Sequence, residues 1–122
     1  MIIIKIRNEY TCPLELVTDM IKGKWKTIII WRLRLGNTSL SKLKKDINGI
    51  TEKMLIENLK ELIDVKIVDK KEYSGYPLKV EYFLTKRGRN ILKALEIFQQ
   101  IGIEYMIEDG REEELIKIGL ID

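Results

Sequence analysis

Between residues 49 and 84 the apolar spacing of this chain changes period once, and that change limits the folds open to it. In "GITEKMLIENLKEL", residues 49–62, Leu55, Leu59 and Leu62, with Ile63 just beyond, recur at threes and fours, which predicts a helix with one buried side. Thr51 is placed to cap it and Glu52 to sit favourably in its first turn, although Met54 leaves the capping box incomplete. Directly afterwards, "KIVDKKEY" and "LKVEYFL" have the β-branched and aromatic content of strands, joined by the turn "SGYP". A helix running straight into a hairpin is the local frame that everything else must accommodate.

Upstream, three further helices are expected. "TCPLELVTDMIKG" has Pro13 at a first helical position, Glu15 near the positive end and Gly23 as a stop. "KWKTIIIWRLRLG" has an inward face of Trp25, Ile28, Ile29 and Leu33, ended by Gly36. "TSLSKLKKDINGI" is capped by Thr38 or Ser39, turns Leu40, Leu43 and Ile47 inward, and reverses at Asn48-Gly49. Downstream, Thr85 caps a long helix, "KRGRNILKALEIFQQIGIEYMIE", and "DGREEELIKIGLID" reads as a break followed by a short acidic helix. Residues 2–6, "IIIKI", read as a short strand or a docking arm. The expected architecture is therefore mainly α with one small β-hairpin, an α+β chain forming a winged helix-turn-helix. One domain is expected over 1–122, with 24–85 as its core and 1–22 and 86–122 as flanking helices.

Composition narrows the chemistry. The chain contains no histidine and one cysteine, Cys12, so an intramolecular disulfide, a Ser-His-Asp triad and a Cys-His dyad are excluded. No glycine-rich phosphate loop is present. The expectation is a protein that is not an enzyme, with no cofactor and no metal. No apolar run reaches the ~18 residues of a membrane span, and "MIII" is too short for a secretory segment, so the expected compartment is the cytoplasm and no membrane partner is expected. The formal net charge is +3, but it is unevenly spread. Residues 22–89 carry seventeen Lys and Arg against eight Asp and Glu, whereas residues 90–122 carry three against eight. A basic middle suits a polyanion; ordinary solubility is the plain alternative.

The runs "CPLELVTDMIKGKWKTIIIWRLRLG", "INGITEKMLIENLKEL" and "YPLKVEYFLTKRG" resemble the HxlR-type winged helix-turn-helix transcriptional regulators, over roughly residues 12–105. The most specific pieces are "GKW" at 23–25, "GIT-K-L" at 49–55, "LKEL" at 59–62 and "VEY-LT--G" at 80–88. The chain departs from that pattern at Lys66, where a glycine often follows the recognition helix, and at Ile101-Gly102, where Trp-Gly is usual. Glu52 places an acid just before the recognition-helix lysine. The resemblance implies a homodimer on double-stranded DNA, with the fourth helix in the major groove, the wing on backbone or minor groove, and the first and last helices forming the dimer.

The residues themselves supply candidates for each role. On the fourth helix the outward set is Thr51, Glu52, Lys53, Ile56, Glu57 and Lys60, with Asn58 on the flank. Lysine suits guanine acceptors or phosphate, Asn58 suits adenine, and Ile56 suits a thymine methyl. Ser39, Ser41, Lys42 and Lys45 on the third helix suit phosphate contacts, as do Lys24 and Lys26. On the wing the candidates are Lys71, Tyr76 and Lys79, although Tyr73 and Tyr76 equally suit packing on the hairpin. A solvated surface is the plain alternative for each. The last helix is apolar over about five turns, more than a small core needs to cover, which suggests a dimer seam of Phe98, Ile101, Gly102 and Tyr105 with Leu14 and Val17. Cys12 precedes Pro13 at an expected helix N-terminus, and by resemblance it is a candidate redox sensor. The competing function is a winged-helix module that binds protein and not DNA.

Overall fold

The computed structural model describes Arg7 and residues 9–122, so the "IIIKI" segment lies outside the described residues. The elements run α1 (Pro13–Ile21), α2 (Lys26–Arg32), a 3-10 turn (Leu33–Leu35), α3 (Leu40–Asp46), α4 (Glu52–Asp64), β1 (Val68–Tyr73), β2 (Lys79–Leu84), α5 (Lys86–Glu108) and α6 (Glu112–Lys117). They fall into two compact units, one ending at Leu92 and one spanning Lys93–Asp122. No helix of the described residues is long and apolar enough to cross a membrane.

In the first unit, α3 and α4 form the helix-turn-helix. Ser39 caps α3, its Oγ accepting from the Lys42 amide at 3.3 Å, and Thr51 caps α4, its Oγ1 accepting from the Met54 amide at 3.1 Å. Thr38, the other candidate cap, is used differently. It is buried and pairs with Tyr82 through reciprocal backbone hydrogen bonds of 2.9 and 2.8 Å, attaching the turn before α3 to the hairpin. The hairpin is antiparallel, with Val68 opposite Leu84 and Tyr73 opposite Lys79.

The inward face of α4 is the expected one. Leu55, Leu59 and Leu62 are at most 1% exposed, and each contributes roughly 1.5–3 kcal/mol of burial. The face of α2 is rotated from expectation. Ile29, Ile30 and Leu33 are buried while Ile28 is 40% exposed, in a helix that starts at Lys26 with Trp25 as its cap. Lys26, Ile29, Ile30 and Leu33 then share one stripe, and Lys26 faces inward. Its Nζ meets the half-buried Glu61 on α4 at 2.5 Å, so the phosphate contact expected for Lys26 is replaced by an ion pair within the fold.

Helix α4 closes without glycine. The Ile67 amide donates to Leu62 O and the Lys66 amide to Ile63 O, the paired bonds of a Schellman turn, with Lys66 at φ +62°. The start of α5 seals this turn. Thr85 Oγ1 donates to Lys66 O at 2.6 Å and accepts from the Gly88 amide, while Arg87 Nη1 donates to Val65 O at 2.7 Å. A Cβ at Gly88 would collide with the Ile67 carbonyl, which requires glycine there. In the second unit Leu115 of α6 is buried, and the end of α5 turns through Gly110 at φ +74°.

Candidate nucleic-acid interface

The outward residues of α4 remain open. Thr51, Glu52, Lys53, Glu57 and Lys60 are exposed, and Ile56 is half-buried. Asn58 is also half-buried, and its Nδ2 donates to Met54 O at 2.7 Å, so one of its two amide hydrogens is held by its own helix. Helix α4 is held at both ends and along its length, by the Thr51 cap, by Glu61 on Lys26 and by Val65 O on Arg87. Its polar face is thus presented by a fixed support.

On α3, Ser41, Lys42 and Lys45 are exposed and Ser39 is half-buried. The Ser39 and Ser41 hydroxyls lie 3.3 Å apart. Lys42 Nζ reaches Asp46 at 3.1 Å, and Asp46 also receives Arg32 from α2. The hydrogen bonds from Arg32 and then from Lys42 hold the Asp46 carboxyl below its ordinary pKa. This brace ties the end of α3 to α2 and leaves Lys45 to solvent.

The wing separates its two tyrosines. Tyr73 packs on the hairpin, its hydroxyl donating to Glu81 at 2.8 Å and its ring lying 5.1 Å from both Lys71 Nζ and Lys79 Nζ. The hydrogen bond to Glu81 raises the Tyr73 pKa. Tyr76 at the tip is fully exposed. Lys79 also approaches Glu81 at 3.7 Å, an exposed contact of little energetic weight.

Wing and helices face each other across an open groove of about 880 Å³. Ser39, Ser41 and Glu52 line it together with Lys79 and the wing residues Pro77 and Leu78. Lys44 lines it too. Lys44 carries no sequence signal for this role, because the groove depends on the Thr38–Tyr82 bridge between segments far apart in the chain. Of the remaining candidates, Lys53, Ile56, Glu57, Asn58 and Lys60 continue along α4, and Lys71 and Tyr76 lie on the wing.

The candidate seam residues are exposed within their own units. In the first unit Leu14 and Val17 are 74% and 40% exposed on α1. In the second, Phe98, Ile101 and Tyr105 are 62%, 45% and 68% exposed, with open space beside Gly102. Their spacing places them along one stripe of α5. Cys12 is an exposed free thiol at the N-cap position of α1, and its side chain makes no capping bond.

A capped second helix with an open polar face, set beside a hairpin across a shared groove, defines a winged helix-turn-helix protein. Residues 20–110 match the family model described as HxlR-like helix-turn-helix. MalR of Fusobacterium mortiferum, a candidate regulatory protein, is 39% identical over 105 residues, spanning 85% of this chain and 99% of that one. YkvN of Bacillus subtilis, an uncharacterized HTH-type transcriptional regulator, is 36% identical over 88% of this chain and 91% of its own. The solved structure of the redox regulator HypR in its reduced form superposes with a TM-score of 0.73 at 32% identity, covering 76% of this chain and 92% of that one. The chain belongs to the HxlR-like helix-turn-helix family, and is a DNA-binding transcriptional regulator of the winged helix-turn-helix class.

Proposed function

We propose that this regulator binds a palindromic operator in double-stranded DNA as a homodimer, reading bases with α4. The observation that carries this is the open polar face of α4 at the rim of a groove shared with α3 and the wing. In this reading Thr51, Glu52, Lys53, Ile56, Glu57, Asn58 and Lys60 face the major groove. Backbone amides at the start of α4 and the side chains of Ser39, Ser41, Lys42 and Lys45 take phosphates, which fix register without reading sequence. Lys71, Tyr76 and Lys79 bring the wing onto backbone or minor groove. Residues 24–85 form the DNA-binding core.

Residues 1–22 and 86–122 supply dimerisation. The exposed apolar stripe Phe98–Ile101–Tyr105, with Gly102 allowing close approach, supports a helix seam, and Leu14 and Val17 supply a second apolar patch. A two-fold dimer places its recognition helices on half-sites one helical turn, about 34–36 Å, or a multiple of it apart. The exposure of Cys12 and the likeness to a redox regulator support thiol control of operator affinity, with Cys12 as the responding group. A cytoplasmic site of action follows from this role.

A gel shift against promoter fragments, including that of the protein's own gene, tests the reading. A complex that depends on sequence and survives physiological salt is expected. Binding that ignores sequence and vanishes at that salt would instead favour a module that docks on protein, because phosphate contacts alone are salt-labile.

A further inference from the structure

Six acids of the first unit, Glu15, Asp19, Asp46, Glu61, Glu72 and Glu81, each lie within 3.7 Å of a lysine or arginine nitrogen. Among the described residues neither acid on the outward face of α4, Glu52 or Glu57, has such a partner, and of the two it is Glu52 that lines the groove with Lys44 and Lys79 and adjoins Lys53 in sequence. Its place in the first turn of α4 sets it at the positive end of the helix and aims it where such helices meet base edges. A carboxylate on a surface that faces phosphate repels the backbone, and a hydrogen donor on a base edge offsets that repulsion.

The major groove offers two such donors, the 4-amino group of cytosine and the 6-amino group of adenine. Adenine sets an N7 acceptor beside its amino group, which a carboxylate opposes. Guanine shows only acceptors, and thymine an acceptor and a methyl group. Resting on the DNA-binding reading above, we propose that Glu52 is a specificity-determining residue that accepts a hydrogen bond from the 4-amino group of one cytosine in each half-site.

The test is selection of bound duplexes from a random-sequence pool by the wild type and by Glu52→Gln, followed by titration of the selected and random duplexes. The wild type should enrich cytosine at one symmetric position. Glu52→Gln, which offers both a donor and an acceptor, should move that position toward adenine and lose on the order of tenfold in affinity for the cytosine duplex. It should also bind random duplex at least as tightly as the wild type, because a negative charge is gone; a damaged fold would lower both. Identical base preference in the two proteins, with a defined consensus, overturns the role of Glu52 alone. Failure of the wild type to select any consensus overturns the operator-binding reading, and this inference with it.

Discussion

Lys26 Nζ and Glu61 Oε2 lie 2.5 Å apart, joining the first turn of α2 to α4 through a lysine side chain only 9% exposed. A cation on the inward stripe of a helix is tolerated because its partner lies directly across the helix contact. Removing one partner strands the other. Glu61 is 29% exposed and keeps part of its hydration, so Lys26→Met is expected to cost about 1–2 kcal/mol, less than the roughly 3–5 kcal/mol of a wholly buried pair. Lys26→Met/Glu61→Leu should recover part of that loss. Urea denaturation of the two variants checks this, and a double variant weaker than the single one would contradict it.

Lys66 occupies the left-handed position of a Schellman turn that glycine usually fills. Lys66→Gly relieves a side-chain clash that outweighs the added freedom of the unfolded chain, and should stabilise the protein by about 1 kcal/mol. The urea midpoint should rise with an unchanged slope; a lower midpoint would mean the lysine makes a compensating contact.

The stripe Phe98–Ile101–Tyr105 is exposed on α5. If it is the dimer seam, Phe98→Asp or Ile101→Asp buries an unpaired carboxylate at the interface and should give monomers by light scattering at micromolar concentration, with helix content retained. Unchanged dimers would exclude this seam.

Cys12 is the chain's one thiol, so oxidation to a disulfide requires a second molecule. Diamide should change operator affinity for the wild type and leave Cys12→Ser unaffected, with a covalent dimer visible on non-reducing gels for the wild type. Equal responses would remove Cys12 as the sensor.

How far the fold could be read from sequence depended on whether the signals were local. The caps at Ser39, Thr51 and Thr85, and the leucine stripe of α4, depend on neighbours within a turn or two, so periodicity and cap chemistry were enough to find them. The phase of α2 was not legible, because Lys26 sits on its inward stripe and a lysine reads as surface until its partner, thirty-five residues away, is known. The groove was invisible for the same reason, since the Thr38–Tyr82 bridge joins distant segments. Two tyrosines three residues apart, Tyr73 and Tyr76, look alike in sequence; the hydrogen bond to Glu81 separates them. The absence of a glycine at Lys66 is plain in the sequence, but the turn forms regardless, and three carbonyls around it are bound by Thr85 and Arg87.

The central claim is that the outward face of α4 reads DNA, and anisotropy titration of a selected operator by Lys53→Glu and Lys117→Glu tests it most directly. Both lysines are exposed and both changes alter net charge equally, but Lys117 lies on α6. Lys53→Glu should weaken operator binding by about 1–3 kcal/mol, while Lys117→Glu should stay close to wild type. Equal losses in the two variants, or none at Lys53, would contradict the account.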